Sequence, residues 1–297
     1  IEHIIFLRML PVMQTSFKEK VKAFSLVGAA ILISVLLFLL YIGYEEKVED
    51  GIVIGVPDDS GGLLFGYLMH NKQVSIKIQQ DFSTYPLRDC CSSAAEWALS
   101  SERLHMAVIC PEAAKRLVEY DPRYTVLGPI LLNSDIIVLR EGSVPKKIGI
   151  THNRWYQEKI VEYNFGAHCE AIPMLASALP YAYHKDEIDG VVVDITKGLY
   201  LEGQYLQGTL DEQDLVTYVL VARKDLLETA EVKRMLQYLE EAVEELTDIS
   251  HLQSALTNFD ANFSTGKEGS VWERMNIKLK TPVMTEKKQN LIYSLQL

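Results

Sequence analysis

The chain has 297 residues, enough for one large or two smaller domains around a substantial core. Hydrophobic residues make up 48% and charged residues 23%, too polar a balance for a transporter that crosses the membrane many times. A net charge of −11 and the lack of clustered Lys and Arg exclude a nucleic-acid surface, which must set cations against phosphates.

The first element is an uncharged run, Ala23–Tyr44 (AFSLVGAAILISVLLFLLYIGY). As a helix rising 1.5 Å per residue it spans about 30 Å, the depth of a bilayer's hydrocarbon core. Lys18, Lys20 and Lys22 precede it, while Glu45, Glu46, Glu49 and Asp50 follow with only Lys47 among them. That asymmetry predicts a cytoplasmic segment over 1–22, a transmembrane anchor over 23–44, and a globular part on the outer side of the cell membrane. A cleavable signal peptide has the same charge pattern. Here the exit is bulky (Tyr41-Ile42-Gly43-Tyr44), with no small-x-small site and no nearby cysteine for a lipid, so an uncleaved single-pass anchor is expected. Met9 and Met13 are candidate start residues.

Beyond the anchor, apolar runs and helical stretches alternate. Gly51–Pro57 (GIVIGVP) reads as a buried strand, and Asp58-Asp59-Ser60-Gly61-Gly62 then opens an amphipathic helix with cap-forming residues. Val74–Phe82 alternates like a half-buried strand, and residues 87–103 read as a helix. His105–Cys110 is a strand that ends at Pro111, where a helix through Tyr120 begins; Tyr124–Pro129 and Ser134–Leu139 are further strands. A second series follows: a strand over Lys147–Ile150, a helix from Thr151-His152-Asn153 to Tyr163, and strands over His168–Pro173 and Gly190–Asp194. Thr217–Ala222 is a strand and Asp225–Thr247 an amphipathic helix. Such repeated β–α alternation predicts an α/β fold with largely parallel sheets, and its recurrence predicts two lobes.

Cys90, Cys91, Cys110 and Cys169 lack the CxxC or Cys/His spacing of a zinc site. They read as buried thiols, with a Cys91–Cys110 disulfide as the open alternative outside the cell. No GxSxG, HExxH, P-loop or GxGxxG motif occurs, so no cofactor and no catalytic apparatus is expected.

The series GIVIGVPDDSGG, SSERLHMAVICPEAA, DIIVLREGSVPKKIGIT, DEIDGVVVD and TYVLVARKDLLET resembles the solute-binding proteins of ABC importers, most of all the branch serving nitrate, sulfonate and thiamine-precursor uptake. In that family a helix-then-strand unit carrying an Asp recurs once per lobe. Here it falls at Glu102–Cys110, where His105 replaces the Asp, and at Glu187–Asp194, where Asp189 keeps it. The resemblance implies a periplasmic-binding-protein type II fold whose two lobes close on solute by hinge motion. It sets lobe one at 45–140 and 220–297 and lobe two at 141–219, with crossovers near Ile137–Glu141 and Thr217–Arg223. It also implies an importer permease and ATPase as partners.

Ligands of open α/β sheets bind beyond the carboxyl ends of the strands. In lobe one this rule selects Asp58, Asp59, Ser60 and Gly61, then Tyr85 in the loop Ser83–Tyr85, and Pro111. In lobe two it selects Thr151, His152, Asn153, Arg154 and Trp155, with Asp194 and Thr196 at the last strand's end. Arg154 is suited to a carboxylate or sulfonate, and Trp155 to a cleft wall, so an anionic or aromatic solute is expected. Each of these turns also suits plain helix capping. The rival functions are a cytoplasmic enzyme of the same fold and a sensory or orphan binding ectodomain. The anchor argues against the first, and the short stretch ahead of it argues against a sensor with its own signalling domain.

Overall fold

The computed structural model describes residues 32–34, 51–71, 78, 81–88, 93–101, 103–142, 144–211 and 213–282. The expected anchor lies outside the described residues except at 32–34, as do Cys90, Cys91 and the tail beyond Pro282. Among the described residues no helix is long and apolar enough to cross a membrane. The chain divides into two compact units, Ile1–Asp50 and Gly51–Leu297, and the second is a mixed α/β structure built on two sheets.

In the first sheet β1 (Ile52–Pro57) runs parallel to β2 (Phe82–Leu87) and β3 (Met106–Ile109). β4 (Tyr124–Leu132), β10 (Val216–Arg223) and β11 (Lys278–Leu279) complete it with antiparallel pairings, in the order β11-β4-β10-β3-β1-β2. The central strands β3 and β10 are buried almost throughout, which is why MAVI and VTYVLVA are continuous rather than alternating apolar runs. Helices α1 (Leu63–His70), α2 (Ser93–Ser100) and α3 (Pro111–Tyr120) follow the first three strands. Three later helices, α7 (Ala230–Glu245), α8 (Ile249–Phe259) and α9 (Glu268–Arg274), return the chain to this lobe, with α7 and α8 packed on α1.

The second sheet has the order β7-β6-β8-β5-β9. β6 (Lys147–Thr151) runs parallel to β7 (Glu170–Met174) and β8 (Gly190–Asp194), while β5 (Asp135–Leu139) runs antiparallel to β8 and β9 (Gln204–Gln207). Its helices are α4 (Trp155–Phe165), α5 (Leu179–His184) and the short α6 (Ile195–Gly198).

The passages between sheets lie earlier than the sequence places them. All five residues of β5 pair with β8, and β10 pairs only with strands of the first sheet. The chain therefore leaves lobe one at Asn133-Ser134 and re-enters it across residues 208–215. An apolar run shows that a strand is buried but not which sheet it joins; partner hydrogen bonds decide that. The two passages are stitched together. Asn133 N–H donates to Leu215 O at 2.8 Å, Leu215 N–H donates back to Asn133 Oδ1 at 2.7 Å, and Ser134 Oγ lies 2.9 Å from Thr217 Oγ1. Asn133 has φ 62°, a left-handed conformation that Asn tolerates better than most residues.

The segment expected as a strand over Val74–Phe82 differs as well. Ile78 and Asp81 are helical, and the strand begins only at Phe82. Val74, Ile78 and Phe82 recur every four residues, so the segment fits both periods.

Candidate functional site

The loops after parallel strands collect at one end of each sheet, and the antiparallel strands deliver their first residues to the same end. After β1 come Asp58, Asp59 and Ser60; after β6 comes Arg154; Asp194 ends β8. β5 begins at Asp135, which sits opposite Asp194, and Tyr218 lies near the start of β10. The two ends face each other, and these side chains meet where the lobes join.

Two buried clusters result. In the first, Asp194 accepts from Thr196 N–H at 3.0 Å and Thr196 Oγ1 at 2.6 Å in its own lobe. Across the junction it accepts from Ser60 N–H at 3.1 Å and from the Ser60 hydroxyl. Burial pushes the Asp194 carboxyl above its ordinary value, the Ser60 and Thr196 donors draw it back, and the charge of Asp135 raises it further.

In the second cluster Arg154 Nη1 pairs with Asp135 Oδ1 at 2.6 Å and Nη2 donates to Tyr218 Oη at 2.7 Å, with the guanidinium 5.1 Å from the tyrosine ring centre. The Tyr218 hydroxyl donates in turn to Asp59 Oδ2 at 2.5 Å. Asp135 also accepts from Tyr156 Oη at 2.5 Å and from the Gln157 amide. Desolvation and then Asp135's charge hold the Tyr156 phenol well above its ordinary value, against the opposing pull of Arg154, and Glu112 at the start of α3 adds to the rise.

The sequence-selected residues divide accordingly. Asp59, Ser60, Gly61, Arg154, Asp194 and Thr196 gather at the junction. Asp58 is exposed at its rim, 3.9 Å from Lys197 Nζ of the opposite lobe. Gly61 makes room for protein rather than solute, since a Cβ there would lie 2.7 Å from the Tyr218 ring. Pro111 is the buried first residue of α3. Thr151 is buried with its N–H on Gln157 Oε1 at 2.6 Å, His152 is exposed with its N–H on Met174 O, and Asn153 takes φ 66° in the turn. Trp155 is 64% exposed. Tyr85 does not follow a strand but sits inside edge strand β2, where it borders a cavity of about 440 Å³ with Arg88, Trp97 and Arg103.

Asp135, Tyr156, Gln157 and Tyr218 lie outside the set that the strand-end rule selects. The available signal was a lone acid or hydroxyl inside otherwise apolar runs, DIIVL and TYVLVA, since a buried polar group needs a partner. Among the described residues no group of three or more His, Cys, Asp or Glu side chains could hold a metal ion. Cys110 and Cys169 are both buried.

No protein-family model and no curated protein sequence matches the chain. Solved structures do. The ligand-binding component of an ABC-type import system from Staphylococcus aureus, with zinc bound, aligns at TM-score 0.65 and 15% identity over 83% of this chain and 90% of its own. An ABC transporter from Parabacteroides distasonis aligns at 0.60 and 12%, covering 82% and 92%. The periplasmic aliphatic sulphonate-binding protein from Escherichia coli aligns at 0.59 and 12%, covering 83% and 87%. The fold is that of ABC-importer solute-binding proteins.

Within this fold the departure at His105 has a physical account. In lobe two Asp189 Oδ2 accepts from Lys146 N–H at 2.8 Å and Lys147 N–H at 2.9 Å, pinning the start of β6, and these bonds hold its carboxyl below the ordinary range. In lobe one His105 Nδ1 accepts from Val53 N–H at 2.9 Å, at the start of β1. The backbones match as well. His105 N–H donates to Val53 O and Asp189 N–H to Lys147 O, while Arg223 N–H donates to His105 O and Arg140 N–H to Asp189 O. His105 and Asp189 are thus one structural position, repeated, and imidazole replaces carboxylate as the acceptor.

Proposed function

We propose that this chain is a solute-binding protein that captures a small solute between its two lobes and delivers it to an ABC importer, held at the outer face of the membrane by an uncleaved anchor over 23–44. The observation that carries the reading is the junction itself. Ser60 and Tyr218 of one lobe meet Asp194 and Arg154 of the other at the carboxyl ends of both sheets, where ligands of such folds bind. Buried donors and acceptors there can exchange partners with a polar solute as the lobes move about the passages at 133–134 and 208–215. The importer partnership draws on the fold shared with ligand-binding components of import systems. The anchor draws on the uncharged run and its flanking charge.

The test is a thermal-unfolding screen of the full chain against sulfonates, carboxylates, amines and aromatic solutes. A true ligand at 100 times its Kd adds about 2.7 kcal/mol and raises the midpoint. If no member of the panel moves the midpoint, solute capture is refuted for these classes.

A further inference from the structure

We infer that the lobes carry their own clasp: Asp194 seated on Ser60, and Arg154 seated on Tyr218, hold the cleft shut through side chains of this chain. Neither helical turn needs the opposite lobe for capping. Asp59 already accepts from Gly61 N–H at 3.2 Å in lobe one, and Asp194 already accepts from the N–H and hydroxyl of Thr196 in lobe two. The bonds from Ser60 to Asp194 are therefore additional, and they join the lobes.

The second arm is built the same way. Asp135 pairs with Arg154 within lobe two, and Asp59 accepts the hydrogen bond of the Tyr218 hydroxyl within lobe one. The Arg154–Tyr218 bond and the guanidinium over the ring are what cross the junction. Lys197 and Asp58 face each other at the rim. Ser60, Asp194, Arg154 and Tyr218 are 1%, 4%, 4% and 0% exposed, so all four donors and acceptors have left water to make these contacts. Parting the lobes breaks the cross-junction bonds together while leaving each lobe's own network intact. One consequence rests on the solute-capture reading: an entering solute must replace these bonds, and its affinity falls by their worth. The clasp itself does not depend on that reading.

The test measures the lobes in the full chain with no solute added. Spin labels on p-acetylphenylalanine, placed at exposed Tyr120 of lobe one and Tyr163 of lobe two, report their separation by pulsed electron resonance. The wild type is expected to show one short distance population. Ser60→Ala with Tyr218→Phe removes the two hydroxyls, and the closed-to-open ratio is expected to fall about tenfold or more. Asp194→Ala should open the lobes likewise. Asp194→Asn should keep them closed, because the amide oxygen can take the bonds now on Oδ1 and its nitrogen can donate to Ser60 Oγ. Unchanged distances in the folded double variant overturn the clasp. A readout that needs no variant is hydrogen exchange at the Ser60 amide, whose described acceptor is Asp194 of the other lobe. Slow exchange in the wild type supports the clasp, and exchange at the rate of an unstructured peptide overturns it. Loss of the solute-capture reading would show only in the thermal screen and would leave these distances unmoved.

Discussion

At the scale of single residues, the junction is a balance between buried charges and the donors that satisfy them. In the sequence Arg154 reads as a grip for an anionic solute. The fold gives its guanidinium to Asp135 and Tyr218, so its first role is to neutralise a buried carboxylate. Asp194 shows the cost of such burial, because its carboxyl is raised above the ordinary value of 3.8 despite four donors. The sign of the pH dependence follows. Between the ordinary value and the raised one the folded chain holds a proton that the unfolded chain has released. Asp194's contribution to stability is therefore greatest at low pH and declines as pH rises through that window. Asp194→Asn has no charge to bury. The stability of wild type minus that of the variant, from urea unfolding at several pH values, should fall from about pH 4 upward. A difference that stays level, or that grows with pH, would contradict the assigned direction.

At the scale of elements, the repeated unit explains how two strands begin in register. His105 and Asp189 each reach back to the backbone N–H groups that open the first parallel strand of their lobe. The predicted cost of His105→Ala is about 1–2 kcal/mol, because Val53 N–H loses its acceptor at the edge of a core strand. His105→Asp, the arrangement that lobe two already uses, should recover most of it. Chemical denaturation of the three proteins checks this, and an Asp variant no better than Ala would show that the imidazole acts through packing instead. The pattern was legible in the sequence as a substitution; that it conserves a hydrogen bond was not, since the acceptor and its donor are 52 residues apart.

At the scale of the whole molecule, the proposed anchor and the two-sheet body can be tested separately. The proposed anchor rests on an uncharged run of bilayer length and its flanking charge, so its test is equally simple. The full chain expressed in a bacterial host should stay with the membrane fraction after an alkaline carbonate wash. Recovery in the wash, or a mature chain that starts beyond Tyr44, would exclude an uncleaved anchor. The body depends on two passages sewn side by side by Asn133, Leu215, Ser134 and Thr217.

The sequence by itself determined the alternation of strands and helices, the α/β class and most strand limits, because hydrophobic period and cap residues are local properties; the sheets it predicts as largely parallel are mixed. It also reached the loops after β1 and β6 and the end of β8, since strand carboxyl ends are where such folds present their helix starts. What only the tertiary structure decided was pairing. It assigned β5 to the second sheet, moved both crossovers, placed Tyr85 within an edge strand, and brought Asp135 and Tyr218 into the junction. Those outcomes depend on hydrogen bonds and buried charges between residues far apart in the chain. No period or spacing encodes them, whereas the burial of a polar group without water compels them.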